Sequence, residues 1–97
     1  MKNQMPPIHP GEILKDELCE LGLSANAFAK ALSVPTNRIT MILKGQRGIS
    51  ADTALRLSRY FGTSPKLWMN LQHSYDLKII EKINGPEIEK AVQPRAA

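Results

Sequence analysis

The sequence predicts an all-α fold of five helices with an extended last helix, and three observations carry that prediction. The stretch Ser24 to Lys44, SANAFAKALSVPTNRITMILK, reads as two short amphipathic helices joined by a tight turn. Gly22 and Gly62 stand at the ends of apolar stripes, and Ser24, Ser50 and the pair Ser64-Pro65 stand where new ones begin, the residue types that stop and start helices. From Pro65 to Ile83 the residues Trp68, Leu71, Tyr75, Ile79 and Ile83 fall near one stripe, longer than a small core needs.

The elements follow in order. Residues 1–9 carry prolines without periodicity and read as an N-terminal arm. Pro10 suits a first helical turn, and Ile13, Leu14, Leu18 and Leu21 supply the buried stripe of the first helix. Glu12, Asp16 and Glu17 favour the positive end of its dipole. Their acidic face reads as solvated, with docking of something basic as the alternative. His9, just ahead of this helix, is a capping residue, a partner contact or neither. Cys19, the single cysteine, excludes an internal disulfide, fits a reducing cytoplasm and is expected to be a buried thiol.

In the second helix Ala25, Phe28, Ala29 and Leu32 form the i, i+3, i+4, i+7 stripe behind a Ser24 cap. Pro35 breaks the chain and opens the third helix, which buries Ile39, Ile42 and Leu43. Winding that helix at about 3.6 residues per turn turns Asn37, Thr40, Met41 and Lys44 outward, with Thr36 at the tip and Arg38 on a flank. Amide, hydroxyls, a flexible apolar group and cations suit base edges, thymine methyls and phosphates in a major groove. An isolated helix with such a face would ordinarily be just solvated; the preceding helix and tight turn shift the reading towards DNA.

Gly45-Gln46-Arg47-Gly48 reads as a loop beside the DNA backbone with Arg47 reaching a phosphate, not as a nucleotide-binding loop, since neither the lysine motif nor a preceding strand is present. In the fourth helix, capped by Ser50, Ala54, Leu57, Ser58 and Phe61 form the inner row, helped by Leu55. The fifth is expected to end near Ile83, because Asn84-Gly85-Pro86 is a strong stop, leaving 84–97 as a loosely ordered tail. Its outer half must cover Tyr75, Ile79, Ile80 and Ile83. A second copy in a twofold dimer is the economical cover, and a tail folded back is the alternative.

Charge is unevenly placed. From Ser24 to Lys66 seven basic residues oppose Asp52 alone, whereas Pro10 to Gly22 holds Lys15 against four carboxylates. The positive band surrounds the proposed groove-reading helix, as a phosphate-binding surface requires. No run of 18 apolar residues spans a membrane, and the N-terminus lacks a signal-peptide core. Two histidines without ligand spacing give no metal site, no nucleophile–base pair or carboxylate pair suggests an enzyme, and no cofactor is expected.

Phe28, Ala29, Leu32, Val34, Ile39 and Ile42 match the buried positions of the helix-turn-helix motif, with small Ala29 where its helices approach. The block resembles the lambda-repressor-like, or XRE, family, departing from it where Ser33 occupies a turn position that is often glycine. The match widens through HPGEILKDEL, NRIT, ILKGQRGIS, ALRL, FGTSP, LWMNLQ and YDL, which together look like the HigA/VapI group of antitoxins over Ile8 to Ile83. That resemblance implies a lambda-repressor-like domain over 10–83 acting as a homodimer. It implies a protein that binds double-stranded operator DNA, represses its own operon and neutralises HigB, a RelE-like mRNA-cleaving toxin. Thr36, Asn37, Thr40 and Met41 would read bases, Lys44 and Arg47 would anchor phosphates, and Arg38 would anchor a phosphate or read guanine. A stand-alone regulator of the same fold and a protein-interaction module are the alternatives.

Overall fold

The computed structural model describes residues 6–95, so residues 1–5 of the expected arm and 96–97 of the expected tail lie outside the described part. Within it the chain forms α1 (Pro10–Leu21), α2 (Ala25–Leu32), α3 (Thr36–Leu43), α4 (Ala51–Phe61) and α5 (Pro65–Ala91), and no strand among the described residues. The fold is all-α, as the helical spacing requires.

Helix starts follow from side-chain caps. The Ser24 hydroxyl accepts the Ala27 N–H at 3.1 Å, Ser50 accepts Thr53 N–H at 3.3 Å, and Ser64 accepts Lys66 N–H at 3.1 Å. His9 resolves as a cap too, its Nδ1 accepting the Gly11 N–H at 2.9 Å. Each satisfies a donor that a helix's first turn leaves without a partner. Gly22 and Gly62 end α1 and α4 at φ 67° and 71°, the left-handed region that suits glycine.

Ser33 ends α2 in that same region, at φ 58° and ψ 47°. A side chain there costs on the order of 1 kcal/mol relative to glycine. Replacing Ser33 with Gly is therefore expected to raise stability by about 0.5–1 kcal/mol, less whatever the freer unfolded chain takes back. Thermal unfolding of the two proteins at equal concentration checks this; an unchanged or lowered midpoint would show the turn to be unstrained.

The core joins Leu14 and Leu18 of α1, Phe28, Ala29 and Leu32 of α2, Ile39 and Ile42 of α3, Ala54 and Leu57 of α4, and Trp68 of α5. Burying these side chains is worth about 1.5–3 kcal/mol each for the larger ones, which is what holds the five helices together. Phe61 and Trp68 pack with ring centroids 5.9 Å apart, and the Trp68 indole N–H donates to the Thr63 hydroxyl at 3.1 Å. On α5, the buried Gln72 side chain accepts the Ile49 N–H at 2.7 Å and donates to Asp76 at 2.9 Å. The loop after α3 is thus pinned to α5.

Four expectations need correcting. Leu21 and Leu55 are exposed, and Ile13 is only half-buried, because Leu14, Leu18, Ala54 and Leu57 already fill the narrow contact each helix makes. Cys19 is exposed, one position past Leu18 and off the buried stripe. The third correction concerns the end of α5, which runs through Asn84-Gly85-Pro86 to Ala91 instead of stopping near Ile83. Proline removes one backbone donor there, but the residue before it is glycine, which has no Cβ to clash with the ring. The fourth is the folded-back tail. Residues to Ala91 prolong the same helix, and 92–95 are exposed.

The molecule is consequently long, 52 × 24 × 21 Å. Its radius of gyration of 16.3 Å exceeds the roughly 12.5 Å of a compact chain of this length, because the outer half of α5 projects beyond the other helices. Among the described residues no helix is long and apolar enough to cross a membrane.

Candidate nucleic-acid interface

The shape of α3 decides what it offers. Ile39 and Ile42 are fully buried, which fixes the rotation of the helix and turns the opposite face outward. Asn37 is exposed, and Thr40 and Met41 are half-buried at the margin of that face. Lys44 caps the C-terminal end, where a cation favours the helix dipole, and Arg47 follows in the exposed loop. Helical spacing puts Asn37, Thr40, Met41 and Lys44 on one side of this short helix, and Arg47 lies three residues further on in its exposed exit loop.

Two hydroxyls are already engaged. Thr36 Oγ1 donates to Asn26 Oδ1 at 2.8 Å, tying the first turns of α2 and α3 together. Thr40 Oγ1 donates to the Asn37 carbonyl at 3.3 Å, within its own helix. Both oxygens keep lone pairs, so each remains able to accept from a base amino group.

Arg38 differs from the other cations. Its Nη1 donates to Asp52 Oδ2 at 2.6 Å, and the side chain is only 23% exposed. The same oxygen accepts Arg56 Nε at 2.9 Å. Arg56 Nη1 in turn donates to the carbonyls of Leu32 and Ser33 at 2.8 and 3.1 Å, the end of α2 and the turn itself. One carboxylate therefore links the turn, through Arg56, to the first turn of α3, through Arg38. Sequence reasoning missed this bracket. The Asp52–Arg56 spacing of four residues was a local signal, but the reach of Arg56 back to Leu32 and of Asp52 to Arg38 had none.

The two arginines hold the Asp52 carboxyl below the ordinary aspartate range, Arg56 first and Arg38 second, chiefly through their hydrogen bonds. A lowered folded-state value means that the unfolded chain takes up the proton first. The pair's contribution is present above the unfolded aspartate value and is lost as pH falls through the folded one. Asp52 lies in solvent, so that contribution to stability is small. The expected result is a carboxyl resonance for Asp52 that titrates below that of an ordinary aspartate and moves up in Arg56→Ala. A titration unaffected by that substitution would deny the link.

Among the described residues Lys30, Lys44, Arg47, Arg59 and Lys66 make no ion pair within 4.0 Å, so most of the positive band is free to meet phosphates. The residues expected at a dimer surface separate into two groups. Tyr75 is half-buried, its ring set edge-on to His9 with centroids 4.9 Å apart, and Ile79 is half-buried one turn further on. Ile80 and Ile83 are 47% and 66% exposed, and Leu77 and Ile88 are exposed further along the same helix.

A short helix turned outward by its isoleucines, hung from a tight turn and followed by Lys44 and Arg47, which have no ion-pair partner among the described residues, is the geometry of a helix-turn-helix DNA-binding domain. A helix-turn-helix family model matches residues 14–68. The chain is 60% identical over 82 residues to Virulence-associated protein I of Dichelobacter nodosus, covering 84% of this chain and 76% of that protein. A solved addiction module antidote protein of the HigA family from Coxiella burnetii superposes with TM-score 0.91 at 58% identity, over 94% of this chain and 100% of that one. Pseudomonas aeruginosa antitoxin HigA, solved with the higBA promoter, gives TM-score 0.90 at 50% identity over 94% and 100%. The chain belongs to the XRE-type helix-turn-helix family, and its fold is that of the HigA-type DNA-binding antitoxins.

Proposed function

We propose that this protein is the antitoxin of a HigBA-type pair: as a homodimer it binds operator DNA ahead of its own operon, represses it, and neutralises a RelE-like mRNA-cleaving toxin. The observation that carries the DNA half is the outward face of α3, open at Asn37 and followed by Lys44 and Arg47, which have no ion-pair partner among the described residues. Similarity to a HigA solved with its promoter supports the same reading. Asn37, Thr40 and Met41 read base edges and thymine methyls, Thr36 reads from the tip, and Lys44 and Arg47 hold phosphates. The exposed isoleucines of α5, Ile80 and Ile83, with Tyr75 and Ile79 at their margin, cover one another across a twofold axis. Two α3 helices then meet two half-sites about one helical turn apart.

The test of the whole reading is co-expression with the adjacent small reading frame. A complex that co-purifies, abolishes the partner's toxicity and shifts DNA from upstream of the pair is expected. DNA binding without a co-purifying toxin would leave a stand-alone regulator. Sedimentation of the free protein as a monomer at micromolar concentration would remove the homodimer.

Within this reading Lys44→Ala should weaken specific and non-specific duplexes alike. It should flatten the dependence of log affinity on log salt by about 0.9, the value of one phosphate contact. Gel shifts across a salt series read the slope directly, and an unchanged slope takes Lys44 off the phosphates.

A further inference from the structure

We propose that Asp52 is a specificity-positioning residue: by holding Arg38, it keeps that guanidinium from acting as a general phosphate anchor and presents it as a fixed reader of a base edge. This deepens the DNA-binding half of the proposed function and rests on it.

Arg38 lies in the first turn of α3, one residue past Asn37 and one turn ahead of Met41. A lone arginine there would have the reach and the freedom to follow any phosphate, which adds affinity to every sequence equally. The structure removes that freedom. Asp52 Oδ2 takes Arg38 Nη1 at 2.6 Å, and Asp52 is itself held by Arg56 Nε at 2.9 Å. Arg56 is anchored in turn on the Leu32 and Ser33 carbonyls. The clamp therefore runs to the backbone of the turn and does not end on a mobile side chain. Asp52 is also the single acidic residue between Ser24 and Lys66, set among seven basic ones. For a surface whose only task was to attract phosphate, a carboxylate at the base of the reading helix would be a loss.

The clamp leaves recognition capacity in place. A guanidinium has five N–H donors in a planar fork, and the contact with Asp52 occupies one edge. The other edge, fixed in direction, suits the paired acceptors of guanine in the major groove. Neutralising part of the Arg38 charge lowers non-specific attraction, while a preset side chain loses less freedom when it meets the correct base. Both effects widen the ratio between specific and non-specific binding.

The test uses the full chain, a duplex from upstream of its own reading frame, and a scrambled duplex of the same composition. Asp52→Asn keeps the side chain's size and an acceptor for Arg56 but removes the charge that holds Arg38. The expected result is tighter binding to the scrambled duplex, a salt slope there steeper by about 0.9, and a specificity ratio reduced about tenfold. In an Arg38→Ala background the same substitution should leave the specificity ratio unchanged, an outcome a merely structural role for Asp52 would not give. Circular dichroism and the unfolding midpoint identify any variant whose loss is one of folding. Should Asp52→Asn misfold, Asp52→Glu and Arg38→Lys serve instead: Glu should keep the ratio, and Lys, which offers no planar fork, should lower it. Equal slopes and ratios in wild type and Asp52→Asn would overturn the proposal while leaving DNA binding intact. A wild-type protein that fails to distinguish the two duplexes would overturn the DNA-binding reading and the proposal together.

Discussion

Phe28→Ala is expected to cost about 4 kcal/mol of stability, in the range measured when a fully buried aromatic is cut back and its neighbours relax only in part. Phe28 is completely buried and starts a chain of rings that runs from α2 through α4 to α5. Its ring meets Tyr60 edge-on at 5.3 Å and Phe61 at 5.8 Å, and Phe61 continues to Trp68 at 5.9 Å. Through those rings α2 is fastened to α4 and α5. Domains of this size hold roughly 5–15 kcal/mol in all, so the variant keeps a small margin or none. Its functional consequence travels by the same route. Without the ring α2 loses its seat, and α3, hung from α2 by the Ser33 turn and by the Thr36–Asn26 hydrogen bond, loses its reference. Urea unfolding at a fixed protomer concentration measures the loss, since any dimer would couple stability to concentration. Phe28→Leu, which retains most of the apolar volume, should fall between. A loss below about 1 kcal/mol for Phe28→Ala would mean that the site collapses freely and that the aromatic chain does not fasten the helices.

Gly11→Ala is the second large effect, and its sign is the informative part. Inside a helix alanine is better than glycine by about 1 kcal/mol, so the local rule expects a more stable protein. The fold reverses it. A Cβ at position 11 would overlap the backbone carbonyl of Ile42 and stand 3.0 Å from His9 Nδ1. Carbonyl oxygens cannot rotate aside as a long side chain would, so α1 or the end of α3 must move. Overpacking of this kind brings the net to about 2–3 kcal/mol of destabilisation. The Ile42 carbonyl accepts the Gly45 N–H at 3.0 Å, so displacement disturbs the exit of α3, where Lys44 and the loop to Arg47 begin. Operator affinity should fall along with the unfolding midpoint. A midpoint equal to or above that of the wild type would show that the close approach of α1 to α3 is not as tight as described.

Both substitutions mark the boundary between what neighbours along the chain decide and what they do not. The helices of the turn motif were legible because their signals are local. Ser24 caps Ala27 within one turn, the spacing of Phe28, Ala29 and Leu32 sets one face, and Pro35 can only precede a helix or break one. The outward face of α3 followed from the expected burial of Ile39, Ile42 and Leu43, of which the first two are fully buried and Leu43 only half-buried. Cys19 was misjudged by weighing its residue type above its place beside Leu18 on the helix. Ile88 was overlooked because a proline stop was read at Pro86 without the relief that Gly85 gives.

The sequence by itself determined the number and order of the helices, the caps that start them, the side of α3 that faces out and the basic band around it. Periodicity and capping act over one or two turns, and those distances are written in the chain. The tertiary structure alone decided that Arg38 is held by Asp52 and not free, that Arg56 closes the turn from 23 and 24 residues away, and that Gln72 satisfies Ile49. It alone decided that Gly11 must lack a side chain. Such contacts exist only once distant segments have been brought together by burial of their apolar faces, and no local pattern encodes which polar group will then lie within reach of which.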